Sequence, residues 1–234
     1  MNKIISKFEK KENRKDIFSK LYNLDKKTCE IIFSYSHKDR NALGERCAFA
    51  INFGIDCSIM RLLLDYNRYS ETDLLVNYFK ENFSDLRVLD YGSGAGDYGV
   101  IFSLLGSQVT FYDYPHMLKC PVYRCEQEGL KFKTIDVPKK LDFKEYNIVI
   151  FSEVLEHLEN PLEELQNCLT SGVKYVFTTA YPFVPIESAY FNKSGHSETA
   201  RNQTKECQDL LEKNYVRQSI SEKHLFKLRD TCSI

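Results

Sequence analysis

Three side chains able to move protons stand close together in the run Phe151-Ser152-Glu153-Val154-Leu155-Glu156-His157-Leu158. Glu153, Glu156 and His157 fall at i, i+3 and i+4, so a helix through this run would set all three on one face. Leu155, Leu158, Leu162 and Leu165 would then supply a second, core-facing side, and Asn160-Pro161 reads as a fresh helix start with an asparagine cap. An imidazole whose ordinary pKa is ~6.5 suits a general base that takes a proton from an acceptor hydroxyl. The same residues also make an ordinary polar loop, in which His157 hydrogen-bonds its neighbours and both glutamates are solvated.

A second constellation is Val88-Leu89-Asp90-Tyr91-Gly92-Ser93-Gly94-Ala95-Gly96-Asp97-Tyr98-Gly99, a buried strand running into a glycine turn that permits close approach of a ligand. Gly94, Gly96 and Gly99 form a literal G-x-G-x-x-G, the fingerprint of nicotinamide and flavin enzymes. Asp90 argues against that use. A carboxylate directly before the glycines would face a dinucleotide's pyrophosphate, whereas it attracts a cationic amino group. Further on, Asp113 ends the run Gln108 to Tyr112 and can accept both hydroxyls of a ribose. Asp136, after Phe132 to Ile135, can accept from an adenine amino group or stand as an exposed loop acid.

The elements that must hold these groups read as an alternation of short β-rich runs and helices. Strands are expected at Arg87 to Tyr91, Gln108 to Tyr112, Phe132 to Ile135, Asn147 to Phe151 and Val173 to Thr179. Helices are expected at Asp97 to Leu105, His116 to Glu128, Pro161 to Thr170 and Gln203 to Lys213, and Tyr215 to Ile220 with His224 to Leu228 reads as a hairpin. This is the pattern of a parallel sheet covered by helices on both faces. Upstream, Ile17 to Leu24 and Ser58 to Tyr66 have helical spacing, and Thr72 reads as the cap of a helix leading into the first strand. The division expected is a helical cap over 1–83 and a cofactor-binding domain over 84–234.

Taken together, Leu89 to Gly96, Asp113, Asp136 and Phe151 to Leu158 resemble the class I S-adenosylmethionine-dependent methyltransferases, over roughly residues 70–230. The resemblance implies an α/β, Rossmann-like, doubly wound sheet of seven strands in the order 3-2-1-4-5-7-6, with the last strand antiparallel. It assigns Asp90, Gly92 and Gly94 to the methionine end of the cofactor, Asp113 to its ribose, Asp136 with Val137 to the adenine, and Ser152 to the wall behind it. Ser93 and Tyr114 complete the expected cofactor contacts. Tyr91 and Tyr114-Pro115 depart from the commoner family pattern.

The string Glu-x-x-Glu-His also resembles the divalent-ion site of ubiquinone-pathway and small-RNA O-methyltransferases, which implies Glu153, Glu156 and His157 as ligands. His196, in Gly195-His196-Ser197-Glu198, is the corresponding fourth ligand. Such a donor set suits Mn²⁺, Fe²⁺ or Co²⁺ better than Mg²⁺. The catalytic candidates are therefore His157, Glu153 and Glu156, acting as base or through an ion. Tyr181 to Phe191, rich in aromatics, is expected to line the acceptor pocket or to pack as a surface loop. His37, His116 and His224 receive no role.

Composition narrows the remaining choices. A chain of 234 residues, 43% hydrophobic and 28% charged, holds one sizeable domain with an appendage. No apolar run approaches the ~20 residues of a membrane span, and the first residues lack a secretory pattern, so a soluble cytoplasmic protein with no membrane partner is expected. Eight cysteines without a Cys-x-x-Cys pair read as reduced thiols. Residues 1–40 carry 11 Lys/Arg against 6 Asp/Glu, which leaves the remainder with a net charge of −6. That acidic remainder favours a small-molecule acceptor over nucleic acid. The expected activity is methyl transfer from S-adenosylmethionine to an oxygen of a small polar metabolite, with sugar- or phosphate-containing acceptors included. The alternatives are an RNA 2′-O-methyltransferase, an NAD(P)-dependent oxidoreductase and a ligand-binding scaffold without catalysis. Nothing in the sequence fixes the oligomeric state.

Overall fold

Runs such as Arg87–Tyr91 (β1) and Ile148–Phe151 (β4) are almost continuously buried, as parallel strands covered on both faces must be. Between and after them lie Gln108–Asp113 (β2), Phe132–Asp136 (β3), Tyr175–Thr178 (β5), Tyr215–Ile220 (β6) and Lys223–Leu228 (β7). The computed structural model describes residues 14–34, 50, 55, 60, 69–80, 82–179, 181–185, 196–220 and 223–229. The seven strands form one sheet in the order β3-β2-β1-β4-β5-β7-β6. β1 to β5 pair in parallel, and β7 runs antiparallel to both β5 and β6. Fold class, strand order and the antiparallel last strand therefore agree with expectation.

The period-two alternation of the strands divides the core into two layers. Val88, Phe111, Ile148 and Ile150 enter one layer, with helices Tyr69–Phe79 (α3), Asp97–Leu104 (α4) and Pro115–Gln127 (α5) supplying Phe79, Phe102 and Leu118. Leu89, Tyr112, Val149 and Phe151 enter the other, against Pro161–Thr170 (α6) and Thr204–Asn214 (α8). The start of α6 is fixed as its sequence dictates: Pro161 occupies the first turn, and the Asn160 side chain accepts from the Glu163 N–H. Between β5 and α8 lies the short helix Glu198–Asn202 (α7), capped by Ser197.

Two upstream helices, Arg14–Leu21 (α1) and Lys26–Ser34 (α2), contribute Phe18 and Ile32 to a third cluster completed by Ala95, Met117 and Cys120. The cap therefore rests directly on the glycine turn and on α5. Two expectations need correction here. α1 ends at Leu21, because the chain turns left-handed at Asn23 (φ 49°) before Leu24 is reached. Thr72 lies inside α3, one turn beyond its first described residue, and so is not its N-cap. α3 itself packs Leu75, Val76 and Phe79 into the sheet's first layer. Of the stretch Ser58 to Tyr66, all but Met60 lies outside the described residues, as do His37, Cys47, Cys57 and Cys232. The five described cysteines are buried free thiols. No described helix is long and apolar enough to cross a membrane.

Candidate active site

The carboxyl ends of β1, β2 and β4 open onto a cavity of about 320 Å³. Its floor is the glycine turn. Gly92 leaves β1 at φ 65°, and a Cβ there would lie 2.5 Å from a Val154 methyl group, so both backbone conformation and space require glycine. Helix α4 then begins behind Gly96 with no side-chain cap of its own. Asp90 takes that role from the preceding strand, its carboxylate accepting the Gly99 N–H at 2.9 Å in the first turn of the helix. At Gly99 a side chain would collide with the Phe111 ring and reach the Asp90 carboxylate. The third glycine thus serves helix-on-strand packing.

Asp90 is 3% exposed, and burial pushes its carboxyl up to about 8, against the opposing pull of the Gly99 N–H. At the end of β2, Asp113 accepts from the Gly94 N–H and the Tyr114 N–H, each at 2.8 Å. Burial raises its pKa as well, while those two N–H groups act in the opposite sense. Both acids also line the cavity, so each one fixes the turn and faces the ligand space. Ser93 makes the same wall, and its buried hydroxyl has no hydrogen-bond partner among the described residues. A buried polar atom without a partner is costly unless a ligand or water satisfies it. The cavity therefore fits a polar cofactor.

Of the expected cofactor residues, Asp90, Gly92, Ser93, Gly94, Asp113, Tyr114, Val137 and Ser152 all line this cavity. Asp136 does not. Although it pairs in register with Asp113, its side chain is 44% exposed and lies 3.3 Å from the Lys139 ammonium. β3 is the edge strand, and its terminal acid turns to solvent. Lining residues that sequence reasoning passed over include Asp97, Met117 and Val154. Asp97 carries a signal in retrospect, as the acid opening the helix after the glycines. Its carboxylate holds Arg124 of α5 at 2.8 Å and Arg14 of α1 at 2.6 Å, and Arg124 also donates to the Ala95 carbonyl. Tyr91 packs its ring on Tyr112 and Phe151, and burial, with the Glu164 carboxylate of α6 nearby, pushes the pKa of its hydroxyl up. This departure from the common pattern makes a core anchor.

The Glu153 to His157 run is not a helix, so the shared face expected for its three side chains does not form. Glu153 sits at φ 54°, a left-handed position few non-glycine residues occupy, with its N–H on the Thr179 hydroxyl. Only Leu155–His157 turns, as one 3₁₀ turn. Glu153 and His157 line the cavity. Glu156 points inward and is 1% exposed. The Glu156 carbonyl accepts the Ser197 N–H at 2.8 Å, which brings His196 beside the turn. The rings of His157 and His196 stand 4.8 Å apart and nearly perpendicular, and Glu156, His157 and His196 offer ligand atoms within 4.8 Å of one another. Glu153 lies outside that group. Tyr181 fixes the approach of this loop by donating to the Ala200 carbonyl at 2.8 Å. In the aromatic segment, Tyr181 is core and Phe183 stacks on Phe226 and meets His224 edge-on, while residues 186–191 lie outside the described residues.

Comparison with known proteins agrees with this geometry. The methyltransferase-domain family model matches residues 64–225. The bifunctional kinase-methyltransferase WbdD superposes with a TM-score of 0.53 at 14% identity, over 70% of this chain and 40% of that one. An O-methyltransferase family protein from Burkholderia thailandensis gives 0.51 at 16% identity, over 86% of this chain and 64% of that one. The chain thus spans less than two thirds of either structure, and at these identities the likeness is one of fold. No curated protein matches. The family match over most of the chain, together with the strand order and a glycine turn flanked by Asp90 and Asp113, places this chain among the class I S-adenosylmethionine-dependent methyltransferases.

Proposed function

We propose that the chain methylates an oxygen atom of a small polar acceptor, with a divalent ion held by Glu156, His157 and His196. The observation that carries this reading is that cluster of ligand atoms within 4.8 Å, whose member His157 also lines the cofactor cavity. S-adenosylmethionine supplies an already activated methyl group on its sulfonium. The residues therefore have to align the partners and exclude water. Asp90, Gly92, Ser93 and Gly94 hold the methionine end, Asp113 the ribose, and Val137 the adenine side, with Ser152 behind. An ion at the cluster would lower the pKa of an acceptor hydroxyl, the task His157 alone would perform as a base. Beyond the histidine pair lies a second cavity of about 260 Å³, lined by His196, Ser197, Glu198, Arg201 and Asn202. Its lining of polar and charged side chains suits a polar acceptor. Oxygen as the acceptor atom follows the description of the Burkholderia relative.

Release of adenosylhomocysteine, followed across a panel of hydroxylated acceptors with EDTA and with added Mn²⁺ or Co²⁺, tests the proposal. Chelation is expected to lower turnover at least about tenfold, with Mn²⁺ or Co²⁺ restoring it. His157→Ala and His196→Ala should both weaken ion binding, whereas Glu153→Gln should leave it intact. Turnover unchanged by chelation removes the ion from the account.

A pH dependence follows from Asp90. A cation bound beside this carboxyl favours its ionised form, so cofactor binding below about pH 8 expels a proton. Affinity for S-adenosylmethionine is expected to rise from pH 6.5 to 8.5, by at most about tenfold per pH unit. Asp90→Asn keeps an acceptor for the Gly99 N–H and should flatten the profile. In the free protein the same raised pKa acts on folding with the opposite trend. The folded chain retains a proton that the unfolded chain loses above about pH 4, so this carboxyl weakens folding as pH rises toward 8. Calorimetry in buffers of different ionisation enthalpy measures the proton directly, and a wild-type affinity independent of pH contradicts the assignment.

A further inference from the structure

A second large cavity, of about 500 Å³, lies at the opposite end of the sheet, where β1, β2 and β3 begin. Arg87, at the start of β1, lines this cavity, while Tyr91, at the end of the same strand, lines the cofactor cavity. Four residue steps at ~3.3 Å put the two about 13 Å apart through the sheet. The back cavity is no part of the methyl-transfer site.

Its walls carry Arg87, Lys131, Lys133 and Lys144 against one acid, Glu145. These cations come from three separate places in the chain, the starts of β1 and β3 and the turn before β4, and converge only in the fold. None of the three lysines has a carboxylate within ion-pair distance among the described residues, and all three are exposed. The Arg87 Nε–H is fixed on the Glu145 carbonyl at 2.7 Å, which orients the guanidinium at the rim. In a chain of net charge −1, so uncompensated a ring is not a consequence of overall composition. Like charges gathered around low-dielectric walls raise the local potential and draw in anions.

The rest of the lining includes two aromatic rings. Tyr146 is buried, and Phe132 is half-buried against Phe111. Gly106, at φ 99°, leaves its side of the cavity open, with nothing within 4 Å of where a Cβ would stand. A volume of about 500 Å³ lies within the ~300–1,000 Å³ of small-molecule sites. Cations at the rim and aromatic rings in the wall match phosphates joined to a planar base, and the cations ring a cavity instead of following a stripe. We infer that this cavity binds an organic polyphosphate of nucleotide size, independently of the methyl donor.

The full chain, saturated with adenosylhomocysteine so that the cofactor cavity is filled, is titrated calorimetrically with ATP, with tripolyphosphate and with a short single-stranded RNA. ATP is expected to bind one to one, more tightly than tripolyphosphate, and to weaken as salt is raised. Lys131→Glu with Lys133→Glu should lower ATP affinity at least about tenfold while leaving adenosylhomocysteine affinity and thermal stability unchanged, since both side chains are exposed. Lys144→Glu gives an independent charge reversal from another element. Absence of ATP binding at millimolar concentration, loss of it on adding adenosylhomocysteine, or equal binding by the charge-reversed chains overturns the inference. Tighter binding of RNA than of ATP, sensitive to the same substitutions, also overturns it in favour of a polymer surface.

Discussion

Replacing Asp113 with alanine is expected to weaken adenosylhomocysteine binding about 100-fold. The side chain is 8% exposed, and its two oxygens hold the N–H groups of Gly94 and Tyr114 at 2.8 Å while facing the cofactor cavity. Hydrogen bonds to a charged group contribute ~1.5–3 kcal/mol each, so loss of the ribose contacts together with the loop anchors amounts to about 3 kcal/mol. Asp113→Asn keeps one acceptor oxygen and is expected to lose about tenfold. Calorimetry measures both. A loss below about threefold in the alanine variant would mean that Asp113 only braces the turn.

The second large effect concerns stability. Asp97→Ala removes the carboxylate that pairs with Arg124, whose side chain is fully buried, and with Arg14 of α1. Breaking a buried ion pair by removing one partner costs about 3–5 kcal/mol. Unfolding by urea should therefore show a loss of at least about 3 kcal/mol, with weaker cofactor binding, because Arg124 also supports the Ala95 carbonyl in the glycine turn. Pairing Asp97→Ala with Arg124→Met, which removes both charges of the pair, should recover a substantial part of the loss. A single variant within about 1 kcal/mol of wild type contradicts this role for Asp97.

The difference between these two acids illustrates what the sequence discloses. Asp113 is legible, because an acid ending a buried β-run beside a glycine turn has a recognisable use. The task of Asp97 depends on Arg14 and Arg124, which lie 83 and 27 residues away and meet it only in the fold. Buried runs such as Ile148–Phe151 mark their strands directly, whereas the order of the strands came from resemblance to a family. Spacing misled at Glu153 to His157. The i, i+3, i+4 relation presupposes helical φ and ψ, and the left-handed turn at Glu153 breaks it. His196 nonetheless reaches His157, through the backbone bond from Ser197 to Glu156. Asp136 ends an edge strand, and its part-exposed carboxylate stands beside Lys139 outside the cavity lining, a placement that neighbouring strands decide. The cationic back cavity has no local signature, since its charges are dispersed over residues 87 to 144.

On the proposed reading, the turn from Asp90 to Gly96, with Asp113 beside it, holds S-adenosylmethionine in place of a dinucleotide. Calorimetric titration of the wild-type chain with adenosylhomocysteine and with NADH, each alone and in competition, tests it most directly. One adenosylhomocysteine per chain is expected to bind, about 100-fold more weakly in Asp113→Ala, with no NADH competition for that site. Tight NADH binding without adenosylhomocysteine binding would contradict it.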